Sequence, residues 1–258
     1  MRKILLTSVG VAALAVSANA TDFTLSGTAK VKVMDDGNTS VDVSTAVGVS
    51  KTFDNGMVLS LSNNNMANAG ELTITSDAVA ITFGDFDQNE KAPGLNGNAA
   101  SSDISSDGIA HSSDAGGISL GATVAGMGIG ASMNNQGDTM FGGSFSTDMG
   151  GMAVTIGGDV YSDDNASLDQ TTMGVKAGLG ALTLVAHSKQ VEAAAGTDTV
   201  SYSAAYTTGG LVIGFQGDDN DKSSYSATYT VVPGMQFEIG SLDNGTTSTS
   251  SAELQMTF

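Results

Sequence analysis

The chain has 258 residues, a formal net charge of −18, no cysteine, no tryptophan and 40% hydrophobic content at a mean hydropathy of +0.07. Disulfides and thiol chemistry are excluded; so acidic a surface repels nucleic-acid phosphates and has the wrong sign for holding anionic lipid through basic residues. The hydrophobic content argues against disorder, and no stretch after Ala20 approaches the ~20 consecutive apolar residues that a membrane helix requires.

Residues 1–20 read as a secretory leader set apart from the fold. Arg2 and Lys3 supply the positive start, 4–16 is mostly apolar, and Ala18-Asn19-Ala20 is a small-residue cleavage site. Its removal makes the net charge two units more negative than −18 and leaves lysines but no arginine against 27 carboxylates. The remaining domain is 21–258.

The first predicted strand alternates cleanly. Phe23, Leu25, Gly27, Ala29, Val31 and Val33 share one face; Asp22, Thr24, Ser26, Thr28, Lys30 and Lys32 share the other. Asp35-Asp36-Gly37-Asn38 supplies turn chemistry. The second strand sets Val41, Val43, Val47 and Val49 against Asp42, Ser44 and Ser50, and Asp54-Asn55-Gly56 carries a type I′ hairpin signature. Met57/Leu59/Leu61, Leu72/Ile74 and Val79/Ile81/Phe83 follow, and then a long interruption at 84–117.

Beyond the interruption the alternation resumes through Ile118/Leu120/Val124, Ile129/Ala131/Met133, Phe141/Phe145 and Met152/Val154/Ile156/Val160. Met173/Val175, Leu182/Leu184, Tyr202/Ala204/Tyr206 and Leu211/Ile213/Phe215 come next, then Tyr225/Ala227/Tyr229, Met235/Phe237/Ile239 and Leu254/Met256/Phe258. The count is sixteen segments. Tight turns such as Ser76-Asp77 and Pro233-Gly234 alternate with longer polar loops, the arrangement of an outer-membrane barrel, and the count is even as bacterial barrels require.

Charge placement checks this independently. Lys30, Lys32, Asp42, Glu71, Asp159, Lys176, Glu238 and Glu253 all fall in the polar phase, where an ion avoids the roughly 2–4 kcal/mol cost of a lysine on the lipid face. Lys51 alone falls in the apolar phase, at a strand end from which its amine can snorkel. A calcium-binding β-solenoid would show a regular Gly-Gly-x-Gly-x-Asp period, which is missing. A β-sandwich core would carry bulkier aromatic content. The reading is therefore all-β: a transmembrane antiparallel β-barrel with sixteen strands.

With its strand-first start, the tight strands running up to Ile81-Thr82-Phe83-Gly84-Asp85, the long loop after the fifth strand and the terminal Phe258, the chain resembles the general trimeric porins of Gram-negative bacteria over the whole of 21–258. The resemblance implies a homotrimer in outer-membrane lipid, a third loop folded into the lumen as a constriction, and a last strand recognised during assembly. Two departures stand out. General porins set arginines across from the acids of the loop, and this domain has none. It is also poor in aromatics, so interfacial girdles fall to residues such as Tyr202, Tyr206, Tyr225, Tyr229, Phe237 and Phe258.

The interruption carries Asp85, Asp87, Glu90, Asp103, Asp107 and Asp114 against Lys91 and His111. Loops this long inside compact domains are uncommon and usually functional. Folded inward, these acids form a negative constriction, faced by Lys30, Lys32 and Lys176 of the inward phase, and the expectation is a cation-preferring channel for ions and small hydrophilic solutes. The bland counterpart is a set of solvated loop acids and of lumen lysines far from any constriction.

Asp218, Asp219 and Asp221 form an oxygen-rich turn that suits calcium in composition but lacks the EF-hand spacing, as does 162–165. No other cofactor is expected. The alternatives to a channel are a non-conducting surface adhesin or structural barrel, and a barrel hydrolase pairing His187 with Ser188 or Ser201. The second lacks an orienting partner in the sequence, so the protein is read as no enzyme. The twelve methionines read as adaptable packing facing lipid.

Overall fold

A computed structural model describes residues 21–35, 37–63, 70–84, 90–95, 116–164, 169–192 and 198–258. The leader and most of the 84–117 interruption lie outside these residues. The chain opens with β1 (Thr21–Met34), β2 (Thr39–Thr52), β3 (Val58–Asn63), β4 (Glu71–Thr75) and β5 (Val79–Gly84). After the interruption come β6 (Gly117–Val124), β7 (Met127–Asn134), β8 (Thr139–Asp148), β9 (Ala153–Ser162) and β10 (Asp169–Leu179). The remainder is β11 (Leu182–Glu192), β12 (Thr199–Thr208), β13 (Leu211–Asp218), β14 (Ser223–Val232), β15 (Met235–Asp243) and β16 (Ser248–Thr257).

Every strand pairs antiparallel with its chain neighbours, and β1 also pairs with β16, so the sheet closes into a sixteen-strand barrel with no free edge. Closure lets each backbone group find a partner across the sheet, which hydrocarbon surroundings demand. Thr28–Met34 of β1 lies opposite Ser251–Thr257 of β16. Gly27 and Phe258 extend that seam by exchanging backbone hydrogen bonds of 2.9 and 3.0 Å.

The burial pattern is inverted relative to a water-soluble protein. Val41 is 66% exposed, Phe141 63% and Met173 63%, whereas Gln216 and Ser224 are fully buried. Among the described residues the buried side chains are mostly polar, and the exposed ones include most of the large apolar residues. The two phases of the alternation therefore map to an apolar outside and a polar inside. So large an apolar exterior cannot stay in water; each large side chain transferred out of it contributes roughly 1.5–3 kcal/mol. Exceptions on the inner face include Met140 opposite Tyr161, Val185 on β11 and Leu242 on β15, which pairs with Ser224. Lys51 sits on the outer face with its amine 5.5 Å from the Phe53 ring centroid.

Two local expectations change. Asp54-Asn55-Gly56 does not form a type I′ turn, because Gly56 alone of the three has a positive φ, +80°. Gly56 N–H donates to Phe53 O at 2.9 Å and Phe53 N–H to Met57 O at 2.8 Å, a three-residue hairpin in which Asp54 is the extra member. The two-residue I′ geometry instead appears at Ala125-Gly126, with φ of +52° and +80°, between β6 and β7. The two rims also differ less than expected. Several connections at the loop rim are tight Asx turns: Asn134 Oδ1 accepts from Gln136 and Asp138, and Asn244 Oδ1 accepts from Thr246 and Thr247.

Candidate functional site: the inner wall of the barrel

Asp159 organises one side of the lumen. It lies on β9 in the inward phase and is 2% exposed. Lys91 N–H donates to its two carboxylate oxygens at 2.7 and 3.0 Å, and Ala92 N–H donates to Oδ2 at 2.6 Å. The Thr172 hydroxyl of β10 adds a longer contact of 3.4 Å. An ionised acceptor makes each such bond about twice as strong as its neutral counterpart. Residues 90–95, a short piece of the β5–β6 interruption, are thus tied to a lumen-facing carboxylate.

Glycines make the seat. A Cβ on Gly142 of β8 would run into the Asp159 carboxylate, and one on Gly157 of β9 into the Lys91 carbonyl. A Cβ on Gly174 of β10 would come within 2.7 Å of Pro93 O. Gly157 and Gly174 therefore present bare backbone where the segment lies, Gly142 leaves room for the carboxylate that holds it, and the Lys91 stem passes Gly128 of β7 at van der Waals distance. The Lys91 side chain reaches a cleft of about 430 Å³ that Thr75, Asp77, Thr123 and Ser144 also line. Gly157→Val, which leaves Asp159 intact, is expected to push the segment off the wall and speed cleavage within 90–95 by added protease in the folded barrel. Wild-type cleavage rates would show that the seat does not hold the segment.

In a ring of sixteen strands, β1 stands eight places from β9, across the lumen. There Lys30 Nζ lies 3.4 Å from Glu253 Oε1 of β16. Register sets Asp42 of β2 opposite Lys30, Glu253 opposite Lys32, and Glu238 of β15 opposite Glu253. The wall across from the anchored 90–95 segment is therefore a mixed row of acids and amines.

Solved structures with the same architecture are bacterial porins. A variant of Rhodopseudomonas blastica porin matches with a TM-score of 0.69 at 14% identity, covering 93% of this chain and all of that one. A triple mutant of the same porin matches with the same score, identity and coverage. The chain has the porin fold. No family model matches the sequence, and no curated relative matches it either.

Within the porin fold the sequence-derived site residues separate into three groups. Lys30 and Lys32 lie on the wall across from the Asp159 anchor, both within the mixed row. Lys176 does not join them: it follows Gly174 by two residues on β10, so it shares a wall with the segment that contains Pro93. Glu90 opens the described piece of the interruption, while Asp85, Asp87, Asp103, Asp107 and Asp114 lie outside the described residues. Asp159 and Glu253 were legible as inward charges, yet their partners were not.

The calcium candidates diverge. Asp218 and Asp219 are consecutive positions at a strand end and take opposite faces. Asp218 Oδ1 accepts from Asn220 and Lys222 N–H at 3.0 and 2.9 Å, and Asp219 Oδ1 accepts from Val200 N–H at 3.0 Å. Asp221 occupies the turn with φ +61°. Among the described residues no three acidic or histidine side chains converge as metal ligands.

His187 is inward and buried, and Ser201 lies directly opposite it on β12. Asp218 lies opposite Ser201 on the far side, so the serine stands between histidine and acid. A relay needs the histidine in the middle, so this order provides none. Ser188, the other candidate, follows His187 in the strand and takes the opposite face.

Proposed function

We propose that this protein is an outer-membrane channel through which ions and small hydrophilic solutes diffuse passively. The observation that carries the reading is the closed sixteen-strand ring with an apolar exterior and a charged, hydroxyl-rich interior. A ring of that size encloses water unless something narrows it. The β5–β6 interruption is the narrowing element. Its anchorage at Asp159 supports a path into the lumen, and Asp85, Asp87, Glu90, Asp103, Asp107 and Asp114 then give the opening its negative charge. The assembly is a homotrimer in outer-membrane lipid, reached by export behind the 1–20 leader.

Cation preference follows from the balance of charges. The lysines that would draw anions are outnumbered on their own wall, and the loop adds carboxylates, so the summed potential favours cations. Purified protein in planar bilayers is expected to give stepwise conductance in groups of three, with a reversal potential of cationic sign in a salt gradient. Asp103→Asn with Asp107→Asn is expected to lower that preference severalfold. Bilayer silence would favour a non-conducting adhesin, and wild-type anion selectivity would overturn the charge assignment.

A further inference from the structure

The wall across from the Asp159 anchor carries a charge pattern that decides which ions it attracts. Four adjacent strands contribute to it: Asp42 on β2, Lys30 and Lys32 on β1, Glu253 on β16 and Glu238 on β15. Directly opposite side chains on one face of a sheet have Cβ atoms about 5 Å apart, and long side chains also reach diagonal neighbours. Lys30 reaches diagonally to Glu253 in this way, at 3.4 Å. The Glu253 side chain is only 5% exposed, against 33% for Lys30.

Alone, the two lysines would make this wall an anion-attracting surface. With Asp42, Glu253 and Glu238 present, carboxylates outnumber amines by three to two. Glu253 is the pivotal member, because it touches Lys30, stands opposite Lys32 and also faces Glu238. Its burial fixes the carboxylate at the wall, whereas a mobile surface acid would be screened within about 8 Å at physiological salt.

We propose that Glu253 is a specificity-determining residue of the pore: it cancels Lys30 and so turns this wall from charge-balanced, with two carboxylates against two amines, to cation-favouring. The proposal rests on the channel reading above. The chemistry it selects is that of small cations and neutral hydrophilic solutes over anions such as chloride or small carboxylates.

The test uses the full-length folded protein in planar bilayers under a potassium chloride gradient, with Glu253→Gln, Lys30→Gln and the double variant. Glu253→Gln is expected to lower the potassium-to-chloride permeability ratio by twofold or more. Lys30→Gln should raise it, because the Glu253 charge is then uncompensated, and the double variant should return close to wild type. A wild-type ratio in Glu253→Gln or in Lys30→Gln, with conductance retained, overturns the proposal while leaving the channel reading intact. Should Glu253→Gln fail to fold, the double variant set against Lys30→Gln decides, and equal ratios in those two overturn the proposal. No conductance in the wild type overturns the channel reading instead, and the proposal with it.

Discussion

Replacing Asp159 with alanine is expected to enlarge the pore. The carboxylate is the point at which Lys91 and Ala92 meet the inner wall, through backbone N–H bonds between 2.6 and 3.0 Å. Hydrogen bonds to a charged group contribute about 1.5–3 kcal/mol each, so losing the acceptor of two amides removes on the order of 3 kcal/mol. Each 1.4 kcal/mol is a factor of ten, so the population of the detached segment rises about a hundredfold. Water entering from the lumen offsets part of that cost by accepting from the freed amides. The expected readings are a larger mean unitary conductance, a noisier open state and a small loss of thermal stability. Asp159→Asn should fall between: its amide keeps one acceptor oxygen but turns an N–H₂ toward another donor. Wild-type conductance and noise in Asp159→Ala would show that the segment is held by other contacts.

The sequence reveals the barrel much better than the inner wall. Period-two alternation survives from Phe23 to Phe258 because lipid and water impose opposite demands on successive residues, and both phases are needed to see it. Asp159 could be assigned to the inward face for that reason alone. Its role could not, since its partners are backbone amides 67 and 68 residues earlier, and every residue but proline carries the same amide. The glycines at 142, 157 and 174 look alike in a chain with 34 of them. Only the strand register shows that they line up beneath Asp159 and the segment it holds.

Lys30 shows the same limit. Alternation places it inside, but its ion pair joins β1 to β16, the strands furthest apart in the chain. That register is fixed by closure, a property of the whole ring. Lys176 shows a related limit, since its phase gives the face and only the ring order gives the side, on β10 and away from Lys30 and Lys32. At the 53–57 hairpin the Asn-Gly pair suggested a two-residue turn, and the chain used Asp54 as well.

Gly27→Val is expected to damage the barrel at its closing seam. The position faces outward, and a Cβ there would lie 2.8 Å from Cζ of the Phe258 ring and 2.6 Å from the Ser44 carbonyl oxygen. Overpacking of this kind costs typically about 1–3 kcal/mol. The larger consequence comes through the two backbone bonds between Gly27 and Phe258, which end the β1–β16 ladder. If the ring is driven outward it carries those backbone groups with it, and unpaired groups in a hydrocarbon setting cost several kcal/mol each. The folded fraction on unheated gels should fall, and the thermal midpoint should drop. Gly27→Ala adds the clashing Cβ without the branch and should show a smaller drop. Phe258→Ala combined with Gly27→Val should recover part of the loss, because it removes the ring but leaves the Ser44 carbonyl in place. A Gly27→Val barrel that folds and melts like wild type would mean that the seam closes without the Phe258 contact; recovery absent from the double variant would place the damage at Ser44.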